Sequence, residues 1–197
     1  MNLPGMRWGV VLLTAACAVP IASAQDIKAG ETKAASCIAC HGPGGQSMQP
    51  TYPSLAGQTA RYIYLQLKDF KEGRRSNPIM GPIAKPLSTE DMLDPGAYFA
   101  AQHPMLASFD ADPAAVSRGK AVAADALCTM CHLGQFKGQN EVPRVAGQQP
   151  QYIAMQLKAF RDHTRTNDAG TMAAYTKSLT DQQIKDLAQY IGNLDIR

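Results

Sequence analysis

Apolar residues recur along this chain at helical spacing, and no stretch alternates apolar and polar residues as a half-buried strand does. Two segments carry apolar side chains at positions i, i+4 and i+7, namely Ile63, Leu67 and Phe70 in one and Ile153, Leu157 and Phe160 in the other. This spacing places each set on one face of a helix, where such residues ordinarily pack into a core. The pattern therefore predicts an all-α protein.

Shorter stripes of small and apolar residues predict a helix near the start of each half of the chain. The first stripe comprises Ile27, Gly30, Ala34 and Ala35, and the second, starting near Pro113, comprises Val116, Gly119 and Ala123. The last helix of each half opens with the spacing of a capping box, at Ser88 with Asp91 and at Thr180 with Gln183.

One of these last helices contains a proline. Pro95-Gly96 stands where the second half has Leu187-Ala188, and an interior proline costs a helix about 3 kcal/mol. We therefore expect a kink or a restart of this helix, with Asp94 as the new N-cap and Pro95 at the first helical position.

Whole blocks of sequence occur twice. Residues 53–58 and 143–148 share the pattern Pro-x-x-Ala-Gly-Gln, and residues 62–70 and 152–160 share Tyr-Ile-x-x-Gln-Leu-Lys-x-Phe. The offset is 90 in these blocks, 91 upstream and 92 downstream, which is typical of a duplicated domain with small insertions between blocks. We assign domains to residues 25–102 and 114–197, and the proline-containing stretch 103–113 to a linker.

The first 24 residues have the pattern of a secretory signal peptide. An apolar run follows Arg7, and Ala22-Ser23-Ala24 forms a small-x-small cleavage site. A lipid anchor on Cys17 is the alternative, although Thr14 is a poor residue for such a site. No other stretch approaches the ~20 apolar residues of a membrane span. The sequence therefore predicts export to the periplasm.

Chemistry is concentrated in one pentad that also occurs twice, as Cys37-Ile38-Ala39-Cys40-His41 and Cys128-Thr129-Met130-Cys131-His132. Two thiols three positions apart with a following imidazole indicate c-type haem attachment: Cys37, Cys40, Cys128 and Cys131 form thioethers, and His41 and His132 bind iron. A redox dithiol fits less well because the whole pentad, with its histidine, occurs twice. A shared zinc ion fits less well because the pairs are about 90 residues apart and zinc ribbons bring theirs within roughly 15–20.

The second iron ligand follows from matched methionines. Met80 and Met172 each lie seven residues before a leucine, in predicted loops, and 39 and 40 residues after the corresponding histidine. We therefore predict the axial pairs His41/Met80 and His132/Met172. The other methionines fit less well because Met48 is too near the pentad and Met92, Met130 and Met155 belong to helices or the pentad itself.

Residues around these ligands allow alternatives. Pro53 and Pro143 either offer carbonyls to the histidines or only make rigid turns. Asn77 and Asn167 either hydrogen-bond near the methionine sulfur or cap loops. Arg75 and Arg165 either neutralise haem propionates or face solvent.

Composition narrows the function classes. The net charge is only +3, and no Lys/Arg cluster with interleaved aromatic residues indicates a nucleic-acid partner. Each half has about 80–90 residues, a size at which a side-chain core is marginal. A covalent haem would supply the missing apolar core, so we expect the haem-free protein to fold poorly.

With the pentads, the repeated blocks and the methionines in place, the mature sequence resembles the dihaem cytochrome c4 family. This resemblance implies two tandem class I cytochrome c domains related by pseudo-twofold symmetry, each with one covalent haem c. It also implies transient electron transfer to a terminal oxidase, or from an upstream cytochrome complex, in the periplasm. We expect a monomer, with peripheral membrane association left open.

The expected function is electron transport and not enzymatic catalysis, because two filled axial positions leave no site for a substrate. The main alternative is a dihaem electron-transfer subunit of a dehydrogenase, of the flavocytochrome sulfide dehydrogenase type. A dihaem peroxidase or a thiosulfate-oxidising cytochrome fits poorly, since it needs an open, His or Cys sixth position.

Overall fold

The structure is a computed structural model that describes Met1 and residues 26–104 and 109–195. The predicted signal peptide, its cleavage site, Cys17 and residues 105–108 of the predicted linker lie outside the described residues. In the first half the helices are α1 (Ile27–Ala34), α2 (Ile38–His41), α3 (Ala60–Lys71), α4 (Met80–Ala84) and α5 (Thr89–Ala100). In the second half they are α6 (Pro113–Asp125), α7 (Cys128–His132), α8 (Pro150–Arg161), α9 (Thr171–Thr176) and α10 (Asp181–Gly192).

The two halves repeat one order of elements: a long helix, a short helix, a 3₁₀ turn, and then a long, a short and a long helix. The 3₁₀ turns span Pro43–Gly45 and Gly134–Phe136. Extended pairing within the described ranges is limited to one isolated bridge between Gln139 and Val142. The all-α, two-domain prediction is therefore confirmed.

The first and last helices of each half cross at a glycine. A Cβ atom on Gly30 would lie 2.1 Å from the carbonyl oxygen of Asp94, and one on Gly119 would lie 2.1 Å from that of Asp186. A hydrogen is thus the largest substituent that fits where α1 meets α5 and where α6 meets α10. The stripe predicted for α1 is wrong at both ends, because Ile27 is 52% exposed and Ala35 is exposed and follows the last residue of the helix.

The predicted stripes of α3 and α8 face the cores, except that Phe70 is only partly buried, with the Arg75 guanidinium over its ring. Ile63, Ile153 and Phe160 are buried, and Leu67 and Leu157 pack against the buried clusters. Among the described residues, the buried cluster of the second half has nine members and that of the first half has three, namely Ala34, Ile63 and Phe99.

Both predicted capping boxes are present. The Ser88 hydroxyl accepts from the backbone N–H of Asp91, and the Asp91 carboxylate accepts from that of Ser88. Thr180 and Gln183 make the same reciprocal pair at the start of α10. Helix termini leave their first N–H groups unpaired, so these local side chains determine where the last helices begin.

Of the two outcomes predicted at Pro95, a kink or a restart, the restart is wrong, because α5 runs from Thr89 to Ala100 as one helix. Asp94 does not cap it; its carboxylate accepts instead from Lys33 Nζ (2.8 Å) and from the backbone N–H of Asp26 (3.2 Å). Pro95 and Gly96 are buried, and a Cβ on Gly96 would lie 2.9 Å from the carbonyl oxygen of Ala60. Close packing of α5 against the start of α3 thus offsets the hydrogen bond lost at the proline.

None of the described helices is long and apolar enough to cross a membrane.

Candidate haem sites

The pentad of the first half places two thiols and an imidazole on one helical turn. Cys37 is the N-cap of α2, and His41 is its last residue, 7% exposed. The Nδ1 atom of His41 lies 2.8 Å from the carbonyl oxygen of Pro53. A carbonyl only accepts, so Nδ1 carries the proton and Nε2 keeps its lone pair for a metal.

The second half repeats this geometry. His132 ends α7 and is 9% exposed, and its Nδ1 lies 2.9 Å from the carbonyl oxygen of Pro143. The carbonyl role considered for Pro53 and Pro143 is therefore the one that the structure shows.

Burial lowers the pKa of both His41 and His132 below the ordinary value, and the proline carbonyls oppose this shift without cancelling it. Each imidazole is accordingly neutral near pH 7, as iron ligation requires.

None of the four pentad cysteines forms a disulfide, so no disulfide competes for them. Burial raises the pKa of Cys37 and of Cys128 above that of an ordinary thiol. Across the described residues, no three or more His, Cys, Asp or Glu side chains come together to hold a metal ion. Each site thus offers two thiols and one neutral imidazole, the donor set that fits a c-type haem.

Met80 and Met172 lie in short helices, and the prediction that both lie in loops is wrong. Met80 is the first residue of α4, and Met172 is the second residue of α9; both are partly buried. Asn77 Oδ1 accepts from the backbone N–H of Ile79 (2.9 Å) and Met80 (2.8 Å), while a carboxylate oxygen of Asp168 accepts from the backbone N–H of Met172. A side chain three or four residues upstream of each methionine therefore helps to fix the start of the short helix that contains it.

Arg75 and Arg165 bind protein groups across the domain boundary, so the alternative in which they only face solvent is wrong. Arg75 Nη2 donates to Tyr152 Oη (3.0 Å) and Gln156 Oε1 (2.9 Å). Arg165 Nη2 donates to Tyr62 Oη (3.0 Å) and Gln66 Oε1 (3.0 Å). The repeated Tyr and Gln of the sequence blocks were the available signal for this network, and sequence reasoning missed it.

These contacts are reciprocal. Arg75 of the first half binds Tyr and Gln of the second-half block, and its copy Arg165 binds the equivalent Tyr and Gln of the first-half block. Residues that exchange contacts in this way are related by a twofold operation. The duplicated domains therefore meet as a pseudo-symmetric pair through α3 and α8.

Exceptions to the symmetry concern Asn167 and Asp69. Asn167 Nδ2 donates to Gln66 Oε1 (3.0 Å) and Asp69 Oδ2 (2.6 Å), whereas its copy Asn77 caps α4. Asp69 is buried and pairs with Arg74 (2.7 Å), and the second half has Ala159 and Thr164 at these positions. The two halves are therefore chemically different at this part of their boundary.

Positive charge collects where the halves meet. Burial raises the pKa of Tyr62, but the charges of Arg165 and Arg75 outweigh it and leave that pKa below the usual value. The Nη2 atom of Arg144 is buried and has no hydrogen-bond partner among the described residues. Unpaired buried donors are costly, and a haem propionate is an anionic acceptor of the kind that would satisfy this one.

Comparisons with known proteins agree with this geometry. A family model described as Cytochrome c matches the chain twice, over residues 27–100 and 116–195. Cytochrome c4 of Pseudomonas aeruginosa is 38% identical over 183 residues, which cover 87% of this chain and 90% of that protein. The crystal structure of reduced recombinant cytochrome c4 from Pseudomonas stutzeri has a TM-score of 0.81 at 36% identity and covers 87% of this chain and 100% of its own.

A relative with a more specific name is also similar. The thiosulfate dehydrogenase electron acceptor of Stutzerimonas stutzeri is 34% identical over 201 residues, covering 94% of this chain and 93% of that protein. With two matched domains and a matching structure of full length, the chain belongs to the cytochrome c4 family, whose two covalent haem c groups make it an electron-transfer protein and not an enzyme.

Proposed function

We propose that this protein is a periplasmic electron carrier of a respiratory chain that donates electrons to a terminal oxidase. In this proposal the thioethers are made by Cys37 and Cys40 in the first half and by Cys128 and Cys131 in the second. His41 with Met80, and His132 with Met172, are the axial pairs. The observation that carries the proposal is the buried, carbonyl-anchored histidine of each pentad, which leaves one nitrogen free for iron.

The protein residues define how the centre works. Haem iron supplies a one-electron couple, and His and Met at both axial positions close it to peroxide or gas ligands. The anchored imidazole keeps one orientation in both oxidation states because its Nδ1 proton is held by a carbonyl. A thioether sulfur favours the ferrous state and raises the potential.

The partner surface is expected to be small. Electron-transfer encounters bury less than about 1,200 Å² and release quickly. We propose that the carrier is a monomer that docks transiently, and that residues 1–24 export it. The pattern of that segment supports export.

A second candidate function is the dedicated acceptor, or the dihaem subunit, of a dehydrogenase. It is favoured by the similarity to a protein named as the electron acceptor of thiosulfate dehydrogenase. The two candidates share all ligands and differ in the partner. Rapid-mixing measurements with a terminal oxidase and with a dehydrogenase separate them, and a stable flavin-containing complex on purification would favour the flavocytochrome type of subunit.

The ligand assignment is tested by absorption spectra of the oxidised protein. We expect two haems per chain and the weak far-red band of thioether-bound ferric iron. Met80→Ala and Met172→Ala should each halve that band and open one iron to cyanide or imidazole. Met155→Ala is the matched control, since Met155 is 47% exposed on α8 and should leave the band unchanged. One haem per chain, or a high-spin spectrum of the unmodified protein, would refute the proposal.

A further inference from the structure

Two glutamines reach from one half of the protein into the backbone of the other. Gln148 Oε1 accepts from the N–H of Ser54 (2.8 Å), and its Nε2 donates to the carbonyl of Ser54 (2.9 Å). Gln58 makes the mirror arrangement, since its Oε1 accepts from the N–H of Arg144 (2.9 Å) and its Nε2 donates to the carbonyl of Arg144 (2.8 Å). Each glutamine side chain therefore hydrogen-bonds both the N–H and the carbonyl of one residue in the other half.

The two residues bound in this way, Ser54 and Arg144, directly follow the prolines whose carbonyls anchor the histidines. The N–H of Ser54 and the carbonyl of Pro53 belong to one planar peptide unit, in which they point in opposite directions. That carbonyl accepts from His41 at 2.8 Å. His41 and Gln148 consequently hold opposite edges of the same peptide, and His132 and Gln58 hold the peptide between Pro143 and Arg144 in the same way.

This arrangement makes a chain of hydrogen bonds that crosses the domain boundary. It runs from Gln148 Oε1 through one peptide to the Nδ1 proton of His41. The members are shielded from water, with Gln148 8%, Ser54 9% and His41 7% exposed. In such surroundings a peptide that donates at its N–H becomes a better acceptor at its carbonyl, by roughly 10–30% per bond in condensed-phase estimates.

We propose that Gln148 and Gln58 are positioning residues for electron transfer, each setting the orientation and basicity of the haem histidine in the opposite domain. A stronger acceptor at Nδ1 makes the imidazole a better electron donor to iron and stabilises the ferric state. The potential of the first haem thus depends on a side chain of the second domain, and the reverse holds for Gln58. This inference rests on the proposed ligation by His41 and His132.

A neighbouring glutamine provides the comparison that isolates this effect. Gln149 is 6% exposed and also crosses the boundary, where its Nε2 donates to the carbonyl of Ser47. Ser47 lies outside the peptides that anchor the histidines, although its N–H donates to the Ser54 hydroxyl (3.2 Å). Gln149→Leu keeps the Gln149 N–H that donates to Gln148 Oε1 (3.0 Å). It therefore removes a side-chain bond across the boundary while both hydrogen-bond chains to the histidines keep all their members.

The test uses the holoprotein with Gln148→Leu, Gln58→Leu and Gln149→Leu. Redox titration resolves the two potentials, and NMR of the ferrous protein reports the Nδ1 proton of each haem histidine. For Gln148→Leu we expect the first haem to rise in potential and the His41 proton to move upfield, with the second haem unchanged. For Gln58→Leu the shifts should occur at the second haem and His132. Gln149→Leu should move neither.

The possible outcomes distinguish a failure of this inference from a failure of the proposed haem ligation. If the unmodified protein lacks two haems with thioether ligation, the proposed function fails. If it has them, and neither glutamine variant moves the opposite haem, or Gln149→Leu moves it equally, the inference is overturned. Should Gln148→Leu not fold, Gln58→Leu decides alone, because it acts on the other domain through its own peptide.

Discussion

Gly119 is the position at which the smallest change should have a large effect. It lies in α6 where that helix crosses α10. A methyl group there would lie 2.1 Å from the carbonyl oxygen of Asp186 and 2.8 Å from Cβ of Tyr190. Ordinary van der Waals contact begins at 3.4 Å, so Gly119→Ala forces the two helices apart by roughly 1 Å at their crossing.

The magnitude follows from two opposing effects. Overpacking a tight contact costs about 1–3 kcal/mol, and a backbone carbonyl that cannot rotate away favours the upper end. Alanine in place of glycine returns about 1 kcal/mol through its higher helix propensity. We expect a net loss near 2 kcal/mol. In a domain of this size each kcal/mol lowers the midpoint of thermal unfolding by about 4–8 °C.

The assay is thermal unfolding of the oxidised holoprotein, monitored by circular dichroism in the haem absorption bands. Ser117→Ala is the matched control, because it introduces the same residue on the exposed face of the same helix. Gly30→Ala should lower the stability of the first half in the same way, since its Cβ would lie 2.1 Å from the carbonyl oxygen of Asp94. A midpoint for Gly119→Ala equal to or above that of the unmodified protein would refute the close crossing.

Four further changes test the energetics. Ser88→Ala and Thr180→Ala should each cost about 1 kcal/mol in chemical denaturation through the lost N-cap bond; no change in either would contradict the capping boxes. Pairing with Arg118 lowers the pKa of Asp186 below its usual value, so its stabilisation is present above that usual value and disappears as the pH falls through the lowered pKa. Asp186→Asn should therefore flatten the acid limb of a stability–pH curve, and an unchanged limb would argue against the pairing. Chemical removal of both haems should abolish cooperative unfolding and reduce far-ultraviolet helix content, whereas an apoprotein that melts sharply would show that side chains alone complete the cores.

Local features of this fold are readable from the chain because their causes lie within one or two turns. The capping boxes at Ser88 and Thr180 satisfy N–H groups three residues away, and the stripes of α3 and α8 depend only on helical spacing. Both of these predictions agree with the structure. The pentads are local too, since the spacing of thiols and imidazole is set by adjacent residues.

Predictions failed where a distant neighbour intervenes. Asp94 does not restart α5 because Lys33 and the start of α1 take its carboxylate. Pro95 stays inside a helix because α3 packs closely against its neighbour Gly96. The short helices at the methionines are a different case, because Asn77 and Asp168 cap them locally and the sequence contains that signal.

The contact between the halves shows most clearly which features follow from the sequence and which depend on the tertiary structure. Duplication, the haem-binding pentads and the matched methionines follow from the order of residues, since covalent spacing and repetition are properties of the chain. The partners that Arg75, Arg165, Gln58 and Gln148 bind in the opposite half do not, because each lies 77–103 residues away and becomes a neighbour only when two copies of one domain pack against each other. Sequence thus specifies two similar haem-binding units that differ at a few positions, and packing connects them, because buried polar groups must find their hydrogen-bond partners wherever the fold brings them.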